Sequence, residues 1–109
     1  MRFLMTSRTD DPNGAADETL FAEMGKFIEE LTAAGVLLAT GGLEPGGQRL
    51  TSSGGEITLT DGPFTEAKEA IGGFALVEVR SREEALELGR RFLKIVGDGS
   101  STIQEVFGP

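Results

Sequence analysis

Phe74-Ala75-Leu76-Val77-Glu78-Val79-Arg80-Ser81-Arg82-Glu83-Glu84 changes its hydrophobic period partway along. From Phe74 to Arg80 the apolar residues crowd together at strand length. At Ser81 the pattern turns helical. Ser81 followed three residues later by Glu84 is a capping box, in which the Ser81 hydroxyl satisfies the Glu84 amide and the Glu84 carboxylate reaches back. Ala85, Leu88, Phe92 and Ile95 then recur at intervals of three and four, predicting a helix that runs to about Ile95. Gly97 to Ser101 turns the chain, and Thr102 to Phe107 reads as a final strand.

Working outward, the first half repeats this order. Arg2 to Ser7 is a short apolar strand, followed by the turn cluster Asp10-Asp11-Pro12-Asn13-Gly14. Asp17 to Ala34 is helical, with Leu20, Met24, Phe27, Ile28 and Leu31 on one face. Asp17 is suited to the N-cap and Gly35 to the C′ position. Val36 to Thr40 is a strand closed by Gly41-Gly42.

Between the halves lies Leu43 to Thr60, rich in Gly, Ser and Thr. It predicts a hairpin of Gln48 to Ser52 and Glu56 to Thr60 around Ser53-Gly54-Gly55. Asp61-Gly62-Pro63-Phe64 then breaks the strand and opens a short helical segment, Thr65 to Ile71, stopped by Gly72-Gly73. The resulting fold class is α+β: a ferredoxin-like βαββαβ unit with an inserted β-hairpin, one domain over residues 1–109.

The strand Phe74 to Arg80 constrains the assembly as well. Phe74 and Leu76 point one way, and Ala75, Val77 and Val79 the other. A sheet with one wet face alternates apolar and polar residues, whereas this strand is apolar on both sides. The helices cover one face, and a second copy of the chain covers the other, giving a homodimer of the dimeric α+β barrel kind. The rival cover is the Leu43–Thr60 hairpin of the same chain.

Composition narrows the chemistry. At this length a folded chain exposes roughly 5,800 Å² and buries about 65% of its extended surface, enough for one core without cross-links. There is no Cys and no His, which removes disulfides, thiolate metal sites, the commonest metal ligand and the commonest acid–base group at neutral pH. Neither metal nor other cofactor is expected. The net charge of −8 argues against nucleic acid, whose phosphates need a basic face. Met1 to Thr6 is too short an apolar run for a signal peptide, and no stretch reaches membrane-spanning length. A cytoplasmic protein with no membrane partner is expected.

Asp61-Gly62-Pro63-Phe64-Thr65-Glu66-Ala67-Lys68-Glu69, followed by Gly72-Gly73-Phe74, resembles the D-G-P-F-x-E-x-K-E…G-G-F signature of the DGPF subgroup of the YCII-related family. The stretch Phe27…Glu30-Leu31…Ala34-Gly35-Val36-Leu37 is similar to that family's first helix and second strand. The resemblance covers nearly the whole chain. It implies a ferredoxin-like fold that dimerises sheet against sheet, in a largely bacterial family whose members are functionally uncharacterised and sometimes encoded beside extracytoplasmic-function sigma factors. The wider family carries a His near the middle of its first helix and a later Asp, proposed as an acid–base pair. Met24 falls at about the His position here, so that mechanism does not transfer.

The motif has two readings. Structurally, Asp61 accepts amide hydrogen bonds from the turn, Gly62 supplies an unusual backbone angle, Pro63 starts the helix and Phe64 anchors it. Functionally, Asp61, Gly62, Pro63, Phe64, Glu66, Lys68 and Glu69 form a ligand-binding segment. Its amides open a helix N-terminus toward an anion, and its charges rim a cleft. The structural reading is preferred for Gly62, Pro63 and Phe64; for Glu66, Lys68 and Glu69 the two stand level.

Elsewhere, Glu78 is either a pocket carboxylate or, preferably, a residue at the wet end of its strand. Gly41-Gly42 and Gly46-Gly47 read as turns, and Arg90, Arg91 and Lys94 answer a helix dipole. Three functions follow: a small-molecule-binding or accessory domain, a cofactor-free enzyme on a small organic substrate, or a purely structural dimer. In the enzyme, Asp61 or Glu66 is general base and Lys68 stabilises charge. A carboxylate base at neutral pH requires burial. The first function is preferred.

Overall fold

The computed structural model of the chain describes residues 1–8, 18–44, 46–62 and 71–108. Its elements run β1 (Arg2–Arg8), α1 (Glu18–Ala33), β2 (Leu37–Gly42), β3 (Gln48–Ser53), β4 (Glu56–Asp61), β5 (Ile71–Glu78), α2 (Arg82–Val96) and β6 (Ser100–Val106). Four strands form an antiparallel sheet in the order β2-β5-β1-β6, while β3 and β4 pair only with each other. This is the expected α+β, ferredoxin-like order with the hairpin as an insertion.

Strand alternation decides which side of the sheet holds the core. Phe3 and Met5 of β1 and Val77 of β5 face the helices, joined by Val79 just beyond β5. They meet Phe27 and Leu31 of α1 and Ala85 and Leu88 of α2. The Phe3 ring is fully buried, a gain of about 1.5–3 kcal/mol over an exposed ring. On α2, Gly89 lets the helix sit close on β6, because a Cβ there would come within 2.7 Å of the Ile103 side chain. Arg91 leaves the helix-dipole role expected of it: it pairs with Glu30 and stacks 4.8 Å above the Phe27 ring, tying α2 to α1.

The helix ends follow local rules. At the end of α1 the Val36 amide donates to the Leu31 carbonyl and the Gly35 amide to that of Thr32, with Gly35 at φ 73°. That is the paired hydrogen bonding of a Schellman motif, with Gly35 at C′ as expected. The expected N-cap Asp17 lies outside the described residues. At α2 the Ser81 hydroxyl accepts from the Glu84 amide at 3.1 Å. The returning Glu84 carboxylate takes the Arg80 amide and not that of Ser81, so the box closes one residue earlier than the pattern implies.

Glycine pairs differ from expectation. Gly41-Gly42 and Gly72-Gly73 lie inside β2 and β5, where Gly42 faces Gly73 and Gly41 faces Phe74 across the ladder. The Phe74 ring covers Gly41, with a Cβ position 3.1 Å from its edge. At Gly73 a Cβ would stand 3.2 Å from the Gly41 carbonyl. Contact across the ladder, and not a turn, is what glycine serves at Gly41 and Gly73. Ile71, expected at the end of a helix, pairs with Arg8 at the start of β5; the rest of that helix, residues 65–70, lies outside the described residues. β5 ends at Glu78, two residues before its expected end. At the hairpin tip Gly54 and Gly55 both take positive φ, as a two-residue type I′ turn requires.

Candidate functional site

A cleft of about 140 Å³ lies between the sheet and the helices. Helical spacing places Met24, Phe27 and Leu31 of α1 along one wall, and α2 adds Leu88 and Phe92. Strand alternation brings Met5, Ala75 and Val77 to the floor. Met24 therefore lines this cleft with a thioether.

One end is polar. Ser7 of β1 stands opposite Ser101 of β6 on one side and Gly73 of β5 on the other, and all three line the cleft. Because Gly73 has no side chain, the Ser7 hydroxyl has room there; a Cβ on Gly73 would sit 3.3 Å from it. Thr40 also lines the cleft, but its hydroxyl is committed to the Phe74 carbonyl at 2.9 Å. Among the described residues no ionisable side chain lines the cleft.

Ser7 and Ser101 were not singled out from the sequence. A signal was present: Ser7 shares inward parity with Phe3 and Met5, and Ser101 with Ile103, so each is a hydroxyl on a core-facing position.

Of the residues expected to bind a ligand, Asp61 ends β4 opposite Gln48 and is exposed. Gly62 follows, donating its amide to the Gly47 carbonyl at 2.8 Å. It takes no positive φ, contrary to the expected unusual angle. Its Cβ would instead fall 2.9 Å from the Gly46 Cα and the Gly47 carbonyl, so contact is what demands glycine. Pro63, Phe64, Glu66, Lys68 and Glu69 lie outside the described residues.

Glu78 is at the wet end of its strand, paired with Arg2 at 3.2 Å and with the N-terminal ammonium at 3.7 Å. Arg90 pairs with Glu87 one turn earlier on α2. A second, open groove at the far end of the strands is lined by Met1, Glu78, Arg80 and Glu84; its carboxylates are engaged by Arg2, the N-terminus and the Arg80 amide. No described helix is long and apolar enough to cross a membrane.

A family model described as YCII-related domain matches residues 1–106. An uncharacterized protein of Rhizobium meliloti (strain 1021) is 34% identical over 76 residues, which are 68% of this chain and 61% of that protein. The match thus spans about three fifths of that relative's length. Among solved structures, 5-chloro-2-hydroxyhydroquinone dehydrochlorinase from Burkholderia phenoliruptrix AC1100, in complex with 2,5-dihydroxybenzoquinone, superposes with a TM-score of 0.51. It is 19% identical, and the likeness covers 100% of this chain and 96% of that one. At that identity the likeness is one of fold.

Proposed function

The chain belongs to the YCII-related domain family, and from that premise we propose that it is a small-molecule-binding protein taking a single aromatic ring between sheet and helices. The observation that carries this is the cleft. Its volume of about 140 Å³ is close to the roughly 150 Å³ of an apolar cavity that holds benzene. A ring with a hydroxyl or carbonyl on one edge suits it best, since Ser7 and Ser101 offer hydroxyls at one end only. The dehydrochlorinase of similar fold was solved with a one-ring quinone, a ligand of the same size class.

Binding is favoured over cofactor-free catalysis by two features of the described residues. No carboxylate or amine faces the cleft, and Asp61 is exposed, without the burial a carboxylate base needs. The segment Asp61, Gly62, Pro63, Phe64, Glu66, Lys68 and Glu69 borders the cleft mouth in this reading. It leads into β5 at Ile71, two residues before the lining residue Gly73. The protein acts as a homodimer through the open face of its sheet, where Leu76 of β5 faces Leu4 of β1 away from the helices.

The three methionines supply the test. Met5 and Met24 line the cleft, while Met1 lies on the surface. With 13C-methyl methionine, titration with phenol is expected to shift the Met5 and Met24 signals and leave Met1 unmoved. No shift at saturating phenol, or equal shifts of all three, overturns the reading. Glu66→Gln and Lys68→Met are expected to weaken binding with little change in melting temperature, because in this reading their charges serve the ligand and not the fold. Unfolding with ligand response intact would remove the segment from the site.

A further inference from the structure

The β3–β4 hairpin is amphipathic. Leu50 faces Leu59 across it and Ser52 faces Ile57. Strand alternation puts these side chains on one face, with Gln48 and Asp61 at its base, and Arg49, Thr51, Ser53, Glu56, Thr58 and Thr60 on the other. Such alternation belongs to a sheet with one face in water and one against a core. Here the apolar side is uncovered: Leu50, Ile57 and Leu59 are 71%, 70% and 62% exposed. A two-stranded hairpin is marginally stable alone in water, so this face needs a cover.

The main sheet carries a second apolar surface, on which Leu4, Leu76 and Phe74 are half-buried and Ala39 is exposed. Leu4, Leu76 and Ala39 form a row across β1, β5 and β2 on the side away from the helices, with Phe74 beside them over Gly41. The hairpin of the same chain lies off this face, since every residue of β3 and β4 is exposed. The size of the chain's surface agrees. It exposes 7941 Å², where a compact monomer of this mass exposes roughly 5,800 Å². Its radius of gyration is 16.1 Å, against roughly 13 Å for a compact domain of this length. The excess area is larger than the roughly 800 Å² each partner contributes to a standard interface.

We infer that the hairpin is a dimer arm, whose Leu50–Ile57–Leu59 face packs on a second copy of the chain over the open face of its sheet. This rests on the homodimer reading above and adds to it the segment that reaches across. A twofold axis makes the contact reciprocal, so two arms and two sheet faces are covered together. The arm is rooted where it can be held in place. Beyond β2 the Leu43 amide still donates to the Gly72 carbonyl, and the Gly62 amide closes the base on the Gly47 carbonyl.

Analytical ultracentrifugation and amide hydrogen exchange on the full chain test this with two variants. The triple variant Leu50→Ser/Ile57→Ser/Leu59→Ser removes only exposed side chains, so amide protection of β1 and α2 should match the parent. Its dimer dissociation constant is expected to rise at least tenfold. Leu76→Asp is expected to give a monomer in which amides of residues 48–61 exchange faster while those of β1 and α2 stay protected. An unchanged dissociation constant in the triple variant, with Leu76→Asp dissociating the dimer, overturns the arm and leaves the homodimer standing. Equally slow hairpin exchange in the monomer does the same. A parent protein that is monomeric at micromolar concentration overturns both.

Discussion

Ser7 and Ser101 face each other across the β1–β6 pair on the core side of the sheet, in line with Met5 and Ile103. Two hydroxyls stand beside the apolar pair Met5–Ile103 at this end of the row.

Replacing both with Ala should cost little stability, because neither is fully buried. It should weaken binding of phenol by up to about tenfold, the worth of a hydrogen bond of about 0.5–1.5 kcal/mol. Toluene, which has no hydroxyl, should bind the double variant as well as the parent. Calorimetric titration of the two ligands against both proteins distinguishes a polar anchor from a change in cleft shape. Equal losses for both ligands would remove Ser7 and Ser101 from the anchor.

Leu31 is buried between α1 and the sheet and also lines the cleft. Leu31→Ala should lower unfolding free energy by about 2–5 kcal/mol, since the removed methyl groups leave space that the structure fills only in part. Urea unfolding measures that loss, and the enlarged cleft should take a bicyclic phenol such as naphthol in preference to phenol.

Gly62→Ala forces a Cβ to within 2.9 Å of two backbone atoms at residues 46 and 47. Backbone cannot swing aside as a side chain does, so the hairpin base must shift at a cost of about 1–3 kcal/mol. Faster amide exchange at residues 47 and 62 is the expected signature, with the core of the main sheet unchanged.

Ser81→Ala deletes the acceptor for the Glu84 amide and should cost about 1 kcal/mol. Glu84→Gln should cost less, because an amide oxygen can still accept from Arg80. A larger loss at Glu84 than at Ser81 by thermal unfolding would contradict this order.

Local rules account for what the chain states plainly. Leu20–Leu31 and Ala85–Ile95 announce two helices because burial on one face forces a 3.6-residue period. Gly35 and Ser81 mark helix ends because unpaired amides and carbonyls need partners. Gly54-Gly55 announces the hairpin because the turn needs two positive φ angles. Where glycine serves contact the sequence misleads. Gly41, Gly62 and Gly73 look like turn residues, and only the neighbours they meet explain them. Ile71 read as helical because the ladder partner that makes it a strand, Arg8, is far away in sequence.

The sequence by itself determined the element order, the ferredoxin-like arrangement, the absence of His and Cys chemistry, and a strand apolar on both sides. These depend on periodicity, residue type and local hydrogen bonding, which are properties of short stretches. The tertiary structure decided the cleft, the Ser7–Ser101 pairing and the uncovered face of the β3–β4 hairpin. The cleft and the Ser7–Ser101 pairing depend on strand register between residues far apart in the chain, which the packing of the whole sheet sets, while the hairpin face is uncovered because β3 and β4 pair only with each other.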